Sequence, residues 1–326
     1  MSDPLFPDKS KLSIGFAHAA YQMAARFSAR QTGLLHFEAR DAAALRARIA
    51  EADVLVISGL WQNQLLDLAP RLRFVQSISA GVNQYDQTRF KAKGVRLASA
   101  QGANEVAVAE HAMALMLGLK RHLHTGRDNQ ARRHWRPMIA DIGAREDELR
   151  GKTLVIVGYG RIGARLARLA KAFEMRVIGV KRKVGGGFAP ADAVVESARL
   201  AEILPEADIV ALTCPLTPET TGLIGAAALA RMKPSAVLIN VARGAVFDEP
   251  ALLAALQSGR IAAAGLDVTA EEPLPDASPL WAMENVLLTP HTAGETRAYE
   301  DNVIDVLLDN LDRLWRGESQ LRNEVV

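Results

Sequence analysis

A glycine-rich turn directly after an apolar run is the part of the sequence whose chemistry is easiest to interpret. It consists of Gly158, Tyr159, Gly160, Arg161, Ile162 and Gly163. Gly158 allows a tight turn, Gly160 lets the backbone approach a pyrophosphate, and Gly163 lets the following helix pack close to the strand. The unpaired N–H groups at the start of that helix then bind phosphate oxygens. Set between a buried strand and an amphipathic helix, this spacing predicts a dinucleotide site, whereas the glycines alone would indicate only a turn.

The residues after the next predicted strand, 177–180, indicate which dinucleotide is bound. They are Lys181, Arg182 and Lys183, with no acidic residue among them. An NAD site expects Asp or Glu at this place, to bind the adenosine ribose 2′-hydroxyl. Three cations suit a 2′-phosphate, which a carboxylate would repel. The pattern favours NADP(H), with NAD(H) as the alternative if the cations form only a solvated basic turn.

Short apolar runs alternate with helical stretches along most of the chain, and these elements must position the glycine turn. The predicted strands are residues 12–17, 54–58, 74–78, 154–157, 177–180, 209–213, 237–241, 263–268 and 286–288. Helical patterns include residues 41–51, 161–173 and 248–258. This alternation is typical of parallel sheets covered by helices on both faces, so the sequence predicts an α/β fold.

The domain boundary is expected near residues 103–104, where a long amphipathic helix begins and continues to about residue 122. Residues 120–150 form a polar arm that begins basic and ends acidic. A second amphipathic helix at 299–315 indicates that the chain returns to its first domain. The predicted segments are a substrate domain at 1–103, a dinucleotide-binding domain at 104–293 and a returning C-terminal segment at 294–326.

The composition narrows the class of protein. The chain has 326 residues, enough for about two domains, and its 49% hydrophobic and 23% charged residues exclude a disordered chain. A net charge of +2 indicates neither nucleic acid nor an anionic membrane as a partner. The single cysteine, Cys214, cannot form an internal disulfide. Since the sequence shows neither a signal peptide nor an apolar stretch of roughly 18 residues, a cytoplasmic protein is expected.

Several further motifs occur in order along the second half of the chain. They are Pro-Leu-Thr-Pro-Glu-Thr at 215–220, Val-Ala-Arg-Gly at 241–244, Gly-Leu-Asp-Val at 265–268, Glu-Pro at 272–273 and Leu-Thr-Pro-His-Thr-Ala-Gly at 288–294. With residues 157–163 they strongly resemble the D-isomer-specific 2-hydroxyacid dehydrogenase family, over essentially the whole chain. The basic residues 181–183 look more like the glyoxylate/hydroxypyruvate reductase branch of that family.

The resemblance implies a specific fold and reaction. The fold would be two doubly wound parallel-sheet domains, a Rossmann cofactor domain inserted in a flavodoxin-like substrate domain. The reaction would transfer a hydride from NADPH, or NADH, to a small 2-ketoacid such as glyoxylate or hydroxypyruvate, giving the D-2-hydroxyacid. The polar arm and the helix before it would join two copies of the chain in a homodimer.

That reaction needs a cation for the substrate carboxylate, a proton donor for its carbonyl, and a group that holds the donor. Arg243 follows an apolar strand immediately before a glycine, and a guanidinium can bind a carboxylate through two hydrogen bonds. His291 lies in a glycine-bearing turn and, as imidazolium, would donate the proton. Glu272, chosen over Glu271 by the family spacing, would bind the other ring nitrogen. A surface ion pair for Arg243 and a structural role for His291 are the alternatives.

The resemblance also implies further contacts with substrate and cofactor. The substrate would bind the backbone N–H groups of Ala80, Gly81 and Val82, together with Arg243 and His291. Cofactor contacts beyond the glycine turn and residues 181–183 are implied for Cys214, Pro215, Val241, Ala242, Arg243, Asp267, His291 and Gly294. Asp267 would bind the nicotinamide carboxamide. A plain turn after a strand is the alternative interpretation of residues 80–82.

Three other interpretations of the sequence are weaker. His122, His124 and His134 fit no common zinc spacing, so no metal is expected. Residues 120–136 carry six Lys or Arg against one Asp, as a nucleic-acid patch would, but the acidic residues that follow dilute this charge. A dinucleotide-sensing regulatory protein, similar to corepressors of the same fold, would keep the same motifs. Turnover of simple 2-ketoacids discriminates between that protein and an enzyme.

Overall fold

The computed structural model describes residues 6–185 and 189–326. Its strands are β1 (Ser13–Ala17), β2 (Leu35–Ala39), β3 (Val54–Ile57), β4 (Phe74–Ser77), β5 (Arg96–Ala98), β6 (Thr153–Val157), β7 (Arg176–Lys181), β8 (Ala193–Glu196), β9 (Ile209–Leu212), β10 (Val237–Asn240), β11 (Ala263–Leu266) and β12 (Val286–Leu288). Its α-helices are α1 (Met23–Ala29), α2 (Ala42–Arg48), α3 (Leu65–Leu68), α4 (Gln87–Lys93), α5 (Glu105–Lys120), α6 (Leu123–Ala131), α7 (Arg161–Ala172), α8 (Leu200–Ile203), α9 (Ala226–Leu229), α10 (Glu249–Gln257) and α11 (Tyr299–Trp315).

The chain divides into two compact units. The first comprises Met1–Asn104 and Thr296–Val326, and the second comprises Glu105–Glu295. Each unit has its own parallel sheet and its own buried apolar clusters.

The first unit contains a five-stranded parallel sheet in the order β2-β1-β3-β4-β5. This is the strand order of flavodoxin-like folds. Helix α11 packs on one face through residues that include Val303 and Leu307, and the cluster on the other face includes Leu45 and Phe90. Because both faces are covered, β3 is apolar throughout, as parallel strands in such sheets usually are.

The second unit contains a seven-stranded parallel sheet in the order β12-β11-β10-β9-β6-β7-β8. Counted from β6, this is the strand order of dinucleotide-binding folds with one strand added at the β12 edge. The order reverses between β6 and β9, and ligands of such sheets bind beside the carboxyl ends of the strands at that point. The predicted α/β class with two doubly wound sheets is confirmed.

The polar arm contains more regular structure than its sequence pattern indicated. Helix α6 lies within it, and a short 3-10 helix occupies Ile142–Ala144. Asp147 anchors the end of the arm, since its carboxylate pairs with Lys120 at 3.3 Å and with Lys152 at 3.0 Å. Between these anchors Trp135 and Met138 are each 97% exposed. Across residues 6–185 and 189–326, every helix is too short or too polar to cross a membrane.

Candidate active site

The glycine turn links β6 to α7, and its packing explains the three glycines. Gly158 has φ +100°, and a Cβ on it would lie 2.4 Å from the backbone nitrogen of Cys214. A Cβ on Gly163 would lie 2.8 Å from the Gly158 carbonyl oxygen, so α7 approaches the turn only without a side chain there. A Cβ on Gly160 would lie 4.0 Å from its nearest neighbour, the Gly158 carbonyl oxygen, so the space beside Gly160 is open. The turn is therefore tightly packed on its inner side and open at Gly160, as a pyrophosphate site requires.

Tyr159, inside the turn, has a packing role that the sequence did not indicate. Its ring lies over β7, since a Cβ on Gly179 would fall 2.5 Å from it. Its hydroxyl accepts a hydrogen bond from the Ala191 backbone N–H at 3.0 Å, and burial raises the pKa of the phenol. The side chain is used in packing, and the Tyr159 backbone N–H donates to the Val180 carbonyl at 2.8 Å, so the cofactor contact of this residue stays a prediction.

The predicted 2′-phosphate ligands lie at the end of β7. Lys181 is the last residue of that strand, one beyond the predicted end, and pairs in register with Glu196 of β8. The next two residues follow in an exposed turn. A hydrogen bond from Thr217, with a smaller contribution from the charge of Arg182, lowers the pKa of the Glu219 carboxyl. The Glu219 carboxylate therefore lies within electrostatic range of Arg182, one of the three cations that would bind a phosphate.

Cys214 and Pro215 follow β9, beside the glycine turn. Burial raises the pKa of the Cys214 thiol to about 11, so the thiol stays protonated and unreactive near neutral pH. The Pro215 carbonyl accepts a hydrogen bond from the Thr220 hydroxyl at 2.7 Å. One residue before the cysteine, the Thr213 hydroxyl donates to the Gly158 carbonyl at 2.9 Å, which joins the carboxyl ends of β6 and β9.

Arg243 follows β10 in an exposed position, and a buried asparagine orders its loop. The Asn240 amide donates to the Arg243 carbonyl at 2.9 Å and accepts from the Ala242 N–H at 2.9 Å. The Arg243 guanidinium donates to the Ala242 carbonyl at 2.6 Å. A Cβ on Gly244 would lie 1.9 Å from the Thr269 carbonyl oxygen. The loop after β10 therefore contacts the loop after β11 backbone to backbone.

The sequence analysis did not identify Asn240 as a residue that orders this loop. A polar residue at the end of an apolar strand could have indicated it.

His291 and Glu272 lie together, although 19 positions separate them in the sequence. The Nδ1 atom of His291 is 2.6 Å from Oε2 of Glu272, and the other carboxylate oxygen accepts a hydrogen bond from the Thr269 N–H at 3.2 Å. The structure thus places Glu272, rather than Glu271, against the ring. His291 has φ +54°, a left-handed conformation that costs a non-glycine residue about 1–3 kcal/mol. The hydrogen bond from its N–H to the Asp267 carbonyl, 2.8 Å long, holds it there.

Asp267 organises the turn that carries His291. This residue is only 2% exposed, and its Oδ1 accepts hydrogen bonds from the Thr289 hydroxyl at 2.6 Å and the Thr292 N–H at 2.9 Å. Its Oδ2 accepts from the Ala293 N–H at 2.9 Å. The Nε2 atom of His111, on α5, lies 2.8 Å from the same Thr289 hydroxyl. Sequence reasoning named Asp267 but singled out neither Thr289 nor His111.

The residues expected to bind the substrate carboxylate, 80–82, belong to the first unit, where they follow β4. The start of their turn is ordered by Ser77, whose hydroxyl accepts a hydrogen bond from the Ser79 N–H at 3.1 Å. The Ser79 hydroxyl lies 2.5 Å from that of Ser58, beyond β3. Residues 80–82 are at least partly exposed, and their role with substrate stays a prediction.

His124, in the arm, has structural contacts through both ring nitrogens. His124 has Nδ1 3.2 Å from the Gly118 carbonyl and Nε2 3.0 Å from the Glu284 carbonyl. In the part of the chain that the structure describes, no three His, Cys, Asp or Glu side chains are grouped as a metal site would need.

The doubly wound sheet and its glycine turn define a dinucleotide-binding protein of the α/β class. A sequence profile described as the NAD binding domain of D-isomer specific 2-hydroxyacid dehydrogenases matches residues 113–293, more than half of the chain. The chain belongs to the D-isomer specific 2-hydroxyacid dehydrogenase family and is an NAD(P)-dependent dehydrogenase. The resemblance seen in the motifs is thereby confirmed.

Relatives cover most of the chain. The glyoxylate reductase of Pyrococcus furiosus is 37% identical over 283 residues, which are 84% of this chain and 82% of that protein. The crystal structure of a D-isomer specific 2-hydroxyacid dehydrogenase family protein from Aeromonas salmonicida matches with a TM-score of 0.84 and 30% identity, covering 97% of this chain and 99% of the other. The NADPH-dependent glyoxylate/hydroxypyruvate reductase of Sinorhizobium meliloti, solved with NADP and malonate, matches with a TM-score of 0.79 and 28% identity, covering 97% of each chain.

Proposed function

We propose that this enzyme reduces glyoxylate or hydroxypyruvate to the 2-hydroxyacid, with NADPH as the favoured source of hydride. The observation that carries the proposal is the 2.6 Å contact between His291 Nδ1 and Glu272 Oε2, a proton donor beside a carboxylate that orients it. The names of the relatives from Pyrococcus furiosus and Sinorhizobium meliloti support this choice of substrates.

The His291–Glu272 pair would act as the acid. Glu272 accepts a hydrogen bond from Nδ1–H, which fixes the orientation of the ring. The proton on Nε2, at the opposite side of the ring, is then transferred to the substrate carbonyl oxygen as that oxygen gains negative charge. The neutral ring keeps its bond to Glu272 through Nδ1–H, so its orientation survives the transfer.

Arg243 would bind the carboxylate of the ketoacid. Its guanidinium can donate two parallel hydrogen bonds to a carboxylate and polarise the adjacent carbonyl. A dinucleotide held by the glycine turn would supply the hydride that the carbonyl carbon receives. Asp267 would orient the nicotinamide carboxamide through Oδ2, which accepts one hydrogen bond, from Ala293, and has capacity for a second.

The preference for NADP(H) rests on the basic end of β7. Lys181, Arg182 and Lys183 supply three cations where an NAD site would have a carboxylate. The Sinorhizobium meliloti relative, described as NADPH-dependent, supports this preference. Glu219 lies within electrostatic range of Arg182, so a phosphate there would compete with an existing carboxylate, and NAD(H) remains the alternative coenzyme.

We further propose that the arm, residues 120–150, joins two copies of the chain as a homodimer. Trp135 and Met138 are large apolar side chains that are each 97% exposed, which is unusual for a surface in contact with water alone. The arm is basic at 127–136 and acidic at 141–148, and an antiparallel pairing of two arms about a two-fold axis would place the basic part of one against the acidic part of the other. Within one chain Arg136 pairs with Glu146, and Asp147 pairs with Lys120 and Lys152, so the apolar side chains carry the proposal.

Initial rates with glyoxylate and hydroxypyruvate, each with NADPH and with NADH, test the proposed function. Turnover on the order of 1–1000 per second, with NADPH favoured, is expected. Turnover with NADH alone would keep the ketoacid reductase and remove the phosphate-binding role of residues 181–183. Dinucleotide binding without turnover of any 2-ketoacid would instead support the regulatory protein of the same fold.

A further inference from the structure

His111 makes a contact that the proposed mechanism does not use. It lies on α5, far in sequence from the catalytic loops, yet its Nε2 is 2.8 Å from the Thr289 hydroxyl and 3.5 Å from Oδ1 of Asp267. Its side chain is only 22% exposed. A partly buried imidazole therefore lies directly behind the carboxylate that organises the His291 turn.

The single hydroxyl proton of Thr289 determines which group donates in each of these two hydrogen bonds. A threonine hydroxyl has one proton, and Thr289 donates it to Asp267 Oδ1 at 2.6 Å, because an ionised carboxylate only accepts. The hydroxyl oxygen must then accept from its other neighbour, so Nε2 of His111 carries a proton. The order is His111 N–H to Thr289 O–H to Asp267 carboxylate, and each bond strengthens the next.

The end of this chain of bonds determines how His291 is held. Asp267 binds the N–H groups of Thr292 and Ala293 through its carboxylate, and that of His291 through its carbonyl. His291 has a strained backbone at φ +54°, so it depends on these bonds for its position. A change in the rotamer of Asp267 would move the turn and the Oδ2 atom that faces the proposed carboxamide contact.

Helix α5, which carries His111, packs closely against two strands of the sheet. A Cβ on Gly265 of β11 would lie 3.1 Å from Leu115, and a Cβ on Gly118 would lie 3.0 Å from Leu287 of β12. Because the helix lies this close to both strands, the position of the His111 backbone is fixed relative to β11 and β12.

We infer that His111 is a positioning residue, which donates a hydrogen bond through Thr289 to Asp267 and so fixes both the His291 turn and the proposed carboxamide ligand. Donation by Nε2 is sufficient for this role, and a positive charge on the ring is not needed. The inference rests on the proposed function for its effect on turnover, and on the geometry alone for its effect on dinucleotide binding.

A pair of substitutions separates donation from charge. The amide nitrogen of glutamine lies the same number of bonds from Cα as Nε2 of histidine, so His111→Gln keeps a donor to Thr289, while His111→Leu removes it. We expect His111→Leu to lower kcat about tenfold and to raise the Kd of NADPH several-fold, with little change in the KM of the ketoacid. We expect His111→Gln to stay within about two- to threefold of wild type. The matched control is His36→Leu, at an exposed histidine of the first unit.

A double-mutant cycle of His111→Asn with Thr289→Val tests the connection itself, and it remains informative if His111→Leu does not fold. The shorter asparagine cannot reach the Thr289 hydroxyl, so each single variant should weaken NADPH binding, and the double variant should bind NADPH no more weakly than the more affected single variant, because both act through one hydroxyl. Wild-type kcat and Kd in a folded His111→Leu, additive effects in the cycle, or a His111→Gln as impaired as His111→Leu would overturn the inference. If wild type reduces no ketoacid, the proposed function fails, and the Kd series measured by NADPH fluorescence still decides the role of His111.

Discussion

The two ring nitrogens of His291 have different tasks in the proposed reaction. Nδ1 lies 2.6 Å from Glu272, which leaves Nε2 as the nitrogen that delivers the proton. The carboxylate accepts the hydrogen bond from Nδ1 and so holds the ring in the orientation that proton delivery from Nε2 requires. The rate of proton transfer therefore depends on a residue that would not touch the substrate.

Replacing Glu272 by glutamine removes the charge and keeps the shape. A glutamine can face Nδ1 with its amide N–H as readily as with its oxygen, so the His291 ring loses its single fixed orientation, and we expect kcat for reduction to fall about tenfold or more. Initial rates with glyoxylate and NADPH measure this, and Glu271→Gln is the matched control on the neighbouring carboxylate. A wild-type kcat in Glu272→Gln would contradict the assignment of this pair.

Arg243→Lys tests whether geometry or charge binds the substrate carboxylate. Lysine keeps the positive charge but loses the planar fork that donates two parallel hydrogen bonds. We expect kcat/KM to fall about a hundredfold or more. Arg199→Lys, on an exposed arginine paired with Glu202, is the control. Near-normal kinetics in Arg243→Lys would remove Arg243 from the site.

At the scale of elements, the loops after β10 and β11 have to be held against each other. Gly244 makes their contact possible, because a Cβ there would lie 1.9 Å from the Thr269 carbonyl oxygen. Gly244→Ala must push the two backbones apart, so we expect it to cost about 2 kcal/mol or more of stability and to reduce activity strongly. Urea unfolding and initial rates measure both effects. Gly59→Ala, at an exposed glycine where a Cβ meets no atom within 4 Å, is the control and should be neutral. Equal stability and equal activity of the two variants would show that the two loops can move apart without loss.

The end of β7 is the element on which the coenzyme preference depends. Lys181→Asp with Arg182→Ala should weaken NADPH binding far more than NADH binding, since only NADPH carries the 2′-phosphate. Fluorescence titration with both coenzymes provides the two Kd values. The control is Arg176→Ala, at the opposite end of the same strand, where the arginine pairs with Glu206 at 2.6 Å. A similar loss for both coenzymes would mean that the basic turn is only solvated surface.

The sequence predicts the central strands of both sheets but not all of their edge strands. Nine strands were predicted, most within one or two residues, because central strands of parallel sheets are continuous apolar runs such as β3 and β9. The pattern missed β2, β5 and β8. Strand β2 contains exposed His36 and Glu38, and β5 has only three residues. Each of the three lies at a sheet edge, where burial on both faces is not required.

In the site, too, the sequence predicts local motifs but not contacts between distant residues. The glycine turn has a local sequence signature, because each of its three glycines is required by the geometry of one turn and its immediate neighbours. The contact of His111 with Thr289 joins residues 178 positions apart, and no local pattern encodes it. A single histidine in a helix has no periodicity to distinguish it, so only the packing of α5 on β11 and β12 reveals its partner.

For the whole molecule, the exposed arm predicts how copies of the chain assemble. Trp135→Asp with Met138→Asp should convert the proposed dimer into a monomer, because burying two carboxylates in the interface is unfavourable. Light scattering across a dilution series measures the mass. Leu35→Asp, at an exposed leucine of the first unit, is the control and should leave the assembly unchanged. A monomeric wild type, or a double variant that stays dimeric, would contradict this use of the arm.

Isotope transfer shows whether His291 delivers a proton while a hydride is transferred to a ketoacid. The enzyme is incubated with glyoxylate and NADPH deuterated at both C4 positions, and the product is analysed by mass spectrometry. Wild type should form glycolate with one deuterium on the former carbonyl carbon, and His291→Asn should form it at a rate at least a hundredfold lower. Unlabelled product, no product, or a wild-type rate in His291→Asn would contradict the account.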